Sequence, residues 1–427
     1  FTGSSNAKDI LSKIPGVTVD QDGNFTLNGQ KNVQVFINGK PSLLSLEQLV
    51  NQLESTPGTD IEKIEVFDVP PARFDAEGSG GIINIIKKKS ASKGFNGNIG
   101  TNAGSGKYEK ANSWFNFNYR NNKFNFYGNV NAMRDKRFFD QRFELNTEIE
   151  GEHNEIHNIK IPVFITSNLS STMGIDYELD TNNTIGVLVS PYIGAFDDYE
   201  NMSAKVVAGT YNYNQTLGYR DLLNIWKGNV YNLNYARKIE KGSLNFDVDY
   251  IRNLDESDQV TENDYWLSNS NVSNEIFTTN FDVDLTAVAA KADYAKELKN
   301  STDIEAGIKF STLGQISNYY SDFIDPIDQW ENSLNFTYNE QITAGYFTIN
   351  KAWGEKVKGD IGLRVENTIM DGKTNIDSVK FNQNFTNFFP NVSVKYEAHK
   401  NWVHSFSVNR RIKRPEYLEL TPFEQRI

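Results

Sequence analysis

The sequence predicts a mainly β protein. A long antiparallel segment, patterned for the wall of a transmembrane β-barrel, follows a small N-terminal α/β unit. Three observations carry this reading. Apolar and polar residues alternate with period two through most of residues 94–427, as in WFNFNY at 114–119 and LNFDVDY at 244–250. The connections fall into two kinds, short polar turns and longer Asn- and Ser-rich stretches. No run approaches the roughly 18 apolar residues of a membrane helix, a limit that does not touch strand-crossing proteins, whose average is polar.

Composition narrows the classes further. The 427 residues hold 43 Lys+Arg against 55 Asp+Glu, a net charge of −12, which argues against a nucleic-acid binder. Cys is 0, so disulfides, Cys-ligated metals and thiol chemistry are excluded. There are 28 Phe and 20 Tyr against only 11 Pro, a β-rich composition and not a disordered one. Phe1 is followed by no basic segment, apolar segment or cleavage site, so the chain reads as the middle of something longer.

The small unit is assigned to residues 1–93. AKDILSKI at 7–14 sets Ile10, Leu11 and Ile14 on one helical stripe, stopped by Pro15-Gly16. VTVDQDGNFTLNG reads as two short strands about Asp22-Gly23. VQVFING at 33–39 is a strand, and SLEQLVNQL at 45–53 a helix with Ser45 as its cap. IEKIEVFDV at 61–69 is a strand ended by Pro70-Pro71, and Gly78, Gly80 and Gly81 form a turn into the strand IINIIKKK at 82–89. Asp20, Asp22 and Asn24 have the spacing of a calcium loop, but the glycine is misplaced and the bidentate Glu is missing, so a plain turn is the better reading.

The barrel segment is assigned to residues 94–427. Phe115, Phe117 and Tyr119 alternate with Asn116 and Asn118; Leu244, Phe246, Val248 and Tyr250 alternate with Asn245, Asp247 and Asp249. Short turns are expected at Arg120–Lys123, Asp180–Asn183, Lys238–Gly242, Glu297–Ser301, Trp353–Val357 and His399–Asn401. Long loops are expected at 146–160, 197–224, 266–276, 318–334 and 373–383. Tight turns at one end and long loops at the other suit a membrane barrel, and placing strands between them gives about thirteen. Single-chain bacterial barrels have even counts, so the barrel is expected to be incomplete in this chain.

The runs ILSKIPGVTVDQDGNFTLNG, VQVFINGKP and IEKIEVFDVPPARFDAEGSGGIINIIKKK resemble the plug domain of TonB-dependent outer-membrane receptors, nearest to the Bacteroidota-type outer-membrane β-barrel family. NRRIKRPEYLELTPF at 409–423 is similar to a motif inside that family's barrel. The resemblance implies a Gram-negative outer membrane and a barrel of about 22 strands with its lumen plugged. On it, roughly nine more strands and an N-terminal TonB box are expected beyond the chain. It also implies energy coupling to the TonB–ExbB–ExbD complex, contact with outer-membrane lipid and lipopolysaccharide, a small ligand, and in some cases a surface lipoprotein. It implies no cofactor and no catalytic residues.

Each candidate site has a plainer competitor. Glu62, Glu65 and Arg73 are candidates for a latch between plug and lumen charges, since buried ion pairs are costly to break singly; pairing on the plug surface is the plainer reading. Gly78, Gly80 and Gly81 serve chain geometry and not phosphate binding, for no helix follows them. Arg410, Arg411, Lys413 and Arg414 form a dense basic cluster, either a patch for anionic ligands or lipopolysaccharide phosphates or a balance for an acidic lumen. His153 and His157 are weak metal candidates that lack a third ligand, and Asp197–Asp198 reads as solvated loop charge. No nucleophile elbow, P-loop or HExxH occurs. Two functional classes remain: energy-coupled import of an iron chelate, oligosaccharide or peptide, and a non-transporting barrel acting as adhesin, signalling receptor or secretion accessory.

Overall fold

The computed structural model describes residues 7–19, 25–29, 33–37, 40–41, 49, 53, 58, 61–67, 70–77, 81–87, 93–149, 152–208, 215–267, 270–324, 329–375, 380–399 and 402–414. The N-terminal unit opens with α1 (Ala7–Leu11), which buries Ala7, Ile10 and Leu11. It is shorter than the expected 7–14. After Leu11 the hydrogen bonds tighten to Lys13 N→Ile10 O (3.1 Å) and Ile14 N→Leu11 O (3.0 Å), and Gly16 turns the chain away at φ 84°.

Six short strands follow among the described residues, the five expected from the sequence and one more at Lys40–Pro41. β1 (Val17–Val19) and β2 (Phe25–Leu27) form the hairpin. β3 (Gln34–Ile37), β4 (Lys40–Pro41), β5 (Ile61–Phe67) and β6 (Ile82–Lys87) form a sheet in the order β4-β3-β6-β5. β3 and β6 run parallel, whereas β5 and β6 are antiparallel. One apolar cluster, with Ile10, Leu11, Phe25, Leu27, Leu49, Leu53, Ile83 and Ile85 buried, ties helix to sheet. Gly81 is explained by crowding: a Cβ there would collide with Leu27 and stand 2.7 Å from Phe67 O. Gly78 and Gly80, most of the 45–53 segment, and Asp20, Asp22 and Asn24 lie outside the described residues.

The remaining strands form one antiparallel sheet. They are β7 (Gly94–Ser105), β8 (Glu109–Asn121), β9 (Phe124–Phe138), β10 (Gln141–Ile149), β11 (Glu152–Glu178), β12 (Asn183–Ala208) and β13 (Gln215–Ile239). β14 (Gly242–Leu267), β15 (Ser270–Leu298), β16 (Thr302–Ile324), β17 (Gln329–Trp353), β18 (Val357–Thr374), β19 (Lys380–His399) and β20 (Trp402–Asn409) complete it. Each pairs with its sequence neighbour, except at β9, β10 and β11. There β11 pairs with β9 through Val163–Tyr177 and with β10 through Glu152–Lys160. β9 and β10 are thus one strand interrupted at Phe139-Asp140, and the 14-stranded sheet fills about the thirteen wall positions that alternation predicts.

Five of the six expected short turns are present, each between consecutive strands, and residues 400 and 401 of the sixth lie outside the described residues. Asn122, Lys241, Asn300 and Gly354 take positive φ in four of them, which tight hairpins demand. The expected long loops need correction. Strand structure runs through most of 152–160, 197–208, 215–224, 270–276, 318–324, 329–334 and 380–383. Asn and Ser do not stop a ladder whose two faces both meet water, so these hairpins continue as paired strands past the membrane band.

Burial is inverted relative to a soluble fold. Phe115 (38%), Phe246 (42%) and Val248 (44%) are exposed, whereas Gln315, Ser317, Thr348, Arg364, Glu366 and Thr368 on the other face are buried. On β14 the outward row Phe246, Val248, Tyr250 gives way to Arg252, paired with Asp284 at 3.0 Å, where the apolar band ends. Replacing Val248 by Arg should lower stability in lipid vesicles by about 2–4 kcal/mol, whereas the same change at an inward neighbour such as Asn245 should cost far less. Denaturant titration of the vesicle-folded protein reads the difference, and equal costs would contradict this orientation.

Candidate functional site

Among the described residues, the N-terminal unit meets the inner wall mainly through PPARFDAE at 70–77. Pro70-Pro71 cannot extend β5, and Phe74 N→Pro71 O (3.0 Å) closes a turn. Phe74 packs edge-on against Phe36 at 4.9 Å and tilted against Phe67 at 5.7 Å. That brace holds the Arg73 guanidinium over both rings, 5.4 Å from Phe67 and 5.0 Å from Phe74. From there Arg73 reaches Glu305 of β16 at 3.0 Å and Glu65 of β5 at 3.5 Å.

Charged contacts continue along the segment. Asp75 accepts from Lys309 of β16 at 2.6 Å and from Arg364 of β18 at 2.9 Å. Arg364 also donates to Glu366 at 2.6 Å, and both side chains are only 2% exposed. Glu366 takes a second bond from Arg414 (2.6 Å) and a long one from Ala76 N (3.4 Å). Arg414 reaches Glu77 at 3.2 Å, Arg411 donates to Glu77 O at 2.8 Å, and Ile412 N to Ala76 O at 3.1 Å. At the other end Asn391 donates to Pro70 O at 3.1 Å. Ala72 sits so close to β18 that a Cβ on Gly362 would lie 3.2 Å from its own.

Strand parity explains why the wall offers these groups. On β18, Leu363 and Val365 face out, which sends Gly362, Arg364 and Glu366 inward. Glu305 and Lys309 share the inward face of β16. Asp75 sits among these charges with 49% of its side-chain surface exposed. Burial pushes its carboxyl up, but Lys309 and Arg364 outweigh that and hold it below its ordinary value of 3.8. Glu65 is likewise lowered: burial acts against it, and hydrogen bonds from Lys63 and Asn84 with the Arg73 charge prevail.

Of the expected latch residues, Arg73 and Glu65 are brought together and Glu62 is not. It is exposed at a bulge in β5 and makes no ion pair among the described residues. The basic cluster divides: Arg411 and Arg414 bind the 70–77 segment, Arg410 caps Phe388 O and Asn387, and Lys413 is exposed. His157 lies on a strand beside Glu155 (2.9 Å), and i, i+4 strand positions stand about 13 Å apart, too far to share a metal. The side chain of His153 lies outside the described residues. Asp198 is no solvated loop charge, since it is buried on β12 and paired with Arg220. Asp75, Glu77, Glu305, Lys309, Arg364 and Glu366 were missed. The available signal was the alternation of Arg364 and Glu366 opposite outward Leu363 and Val365.

Two family models match the chain: the TonB-dependent Receptor Plug Domain over residues 2–82, and the Outer membrane protein beta-barrel family over 237–427. The chain belongs to the TonB-dependent receptors. It is a transporter of the Gram-negative outer membrane and not an enzyme. Among solved structures, the ferric yersiniabactin uptake receptor of Yersinia pestis is 12% identical at TM-score 0.31, over 95% of this chain and 83% of that one. The ferric-catecholate import receptor of E. coli K12 is 12% identical at TM-score 0.33, over 93% and 81%. No curated protein matches the chain.

Two outcomes test this receptor's ionic seat. Glu366→Gln leaves Arg364 and Arg414 facing a neutral group in a buried site, and should destabilise plug docking by about 3–5 kcal/mol, read as faster proteolysis of the 70–77 segment. Because the Asp75 carboxyl is lowered from 3.8, its contribution is complete above that value and fades as the pH falls below it. Asp75→Asn should abolish that acid dependence, and an unchanged profile would contradict the assignment.

Proposed function

We propose that this receptor imports a scarce nutrient by plug-gated, energy-coupled transport. In this reading residues 1–93 are the plug, 94–427 belong to the barrel, and the ionic seat around 70–77 is the latch. The carrying observation is that this one segment is bonded to β16, β18, β19 and the 410–414 stretch at once. Ion pairs suit such a latch. They are costly to break one at a time, yet water and exchanged partners can replace them when the segment moves.

Pulling by TonB, driven by ExbB–ExbD, would draw the plug off β16 and β18 and open a path along the wall. The ligand class on this reading is an iron chelate, oligosaccharide or peptide captured on the outer side, handed over by a surface lipoprotein where one accompanies the receptor. Lipopolysaccharide would surround the outer half, and a Bacteroidota host fits the plug segments quoted above.

Uptake in cells with and without TonB tests this. Binding to whole cells should survive loss of TonB while accumulation inside falls to background. Accumulation that persists without TonB, or an adhesion phenotype alone, would contradict import.

A further inference from the structure

The lumen face of β12 and β13 carries a reciprocal pair of aromatic rings. Tyr192 of β12 stands opposite Gly228 of β13, and Trp226 of β13 stands opposite Gly194 of β12. Each ring reaches across onto the glycine facing it, where a Cβ would collide with it. With no side chain beneath, the rings are laid along the wall and keep one face toward the lumen; both are half-buried. Register fixes that face: Trp226 pairs with Asp255, Asp255 with Val283, and Val283 with Ser317, which lies on the same side of β16 as Lys309.

The rim of this pair is polar. The Tyr192 hydroxyl donates to Asn253 at 3.2 Å, and Asn224 donates to Asp255 at 2.6 Å. Phe196 continues the aromatic row one rung further and stacks on Phe164 at 5.5 Å. Cations do not dominate here: Arg220, further along β13, is already paired with Asp198 and Glu200.

We propose that Tyr192 and Trp226 form a stacking platform for a neutral saccharide. A pyranose presents an apolar C–H face to an aromatic ring and hydroxyls around its edge, which here meet Asn224, Asn253 and Asp255. An anionic chelate would meet the Asp255 carboxylate, and the neighbouring cation Arg220 is already paired. The proposal rests on the import reading for its purpose, but binding is measured without TonB, so the two fail separately.

The experiment is intrinsic fluorescence and equilibrium dialysis of the detergent-purified full receptor with maltohexaose, xylohexaose and chitohexaose. At least one should bind and shift the tryptophan emission. Trp226→Ala should weaken it about tenfold or more, and Asn253→Ala, which spares the rings, should weaken it also, while both variants stay heat-modifiable. Trp353→Ala, on the outward face at the short-turn end, should change nothing. If none of the three sugars binds, or if Trp226→Ala and Asn253→Ala both bind like the unaltered receptor, the rings serve only to cover glycines and the proposal is overturned.

Discussion

Every backbone N–H and C=O of a strand inside a bilayer must find its partner on the next strand, because lipid offers none. The rest of this structure follows from that constraint. The ladder runs from β7 to β20 without a crossover, and its register changes at only a few bulges. Once register is set, each residue's face is set by parity. Phe246 and Val248 must meet lipid, and Arg364 and Glu366 must meet the lumen.

An inward charge cannot simply be left in a crowded lumen. Much of the inner wall solves this locally, as where Arg220 pairs with Asp198 and Glu200, or Asn232 with Asp249. On β16 and β18 the solution involves the plug. Glu366 is shared by Arg364 and Arg414, Arg364 is shared by Glu366 and Asp75, and Asp75 is shared by Arg364 and Lys309. Lys309 and Arg364 keep their Asp75 partner, and Arg414 its Glu77 partner, only while the 70–77 segment is in place, so plug position and wall electrostatics are one equilibrium. Removing any one member strands the others, and this coupling makes the arrangement a seat and not a set of surface pairs.

The wall was readable from the sequence where lipid imposes a strict pattern. Alternation at 114–119 and 244–250, with turn residues at Asn122 and Lys241, located strands and short turns closely. Beyond the apolar band water lies on both sides, alternation weakens, and 197–208 or 270–276 look like loop although they are paired strand. In the plug, the two prolines and Arg73 marked the contact segment. Its partners were hidden because pairing spans the chain: Arg73 and Glu305 are 232 residues apart, and Ala76 and Glu366 are 290 apart. Nothing local to Glu305 or Lys309 distinguishes them from the many other charges of the wall until parity and register place them.

The central claim is that the 70–77 segment must leave the wall for transport to occur. Ala72 and Gly362 offer a direct test, since Cβ atoms at these positions would lie 3.2 Å apart, a few tenths of an ångström inside the range of a disulfide, and the chain has 0 Cys of its own. With both replaced by Cys, the account predicts no uptake while the bond is oxidised, normal ligand binding throughout, and recovery of uptake on reduction. Full uptake through the oxidised, cross-linked receptor would contradict it.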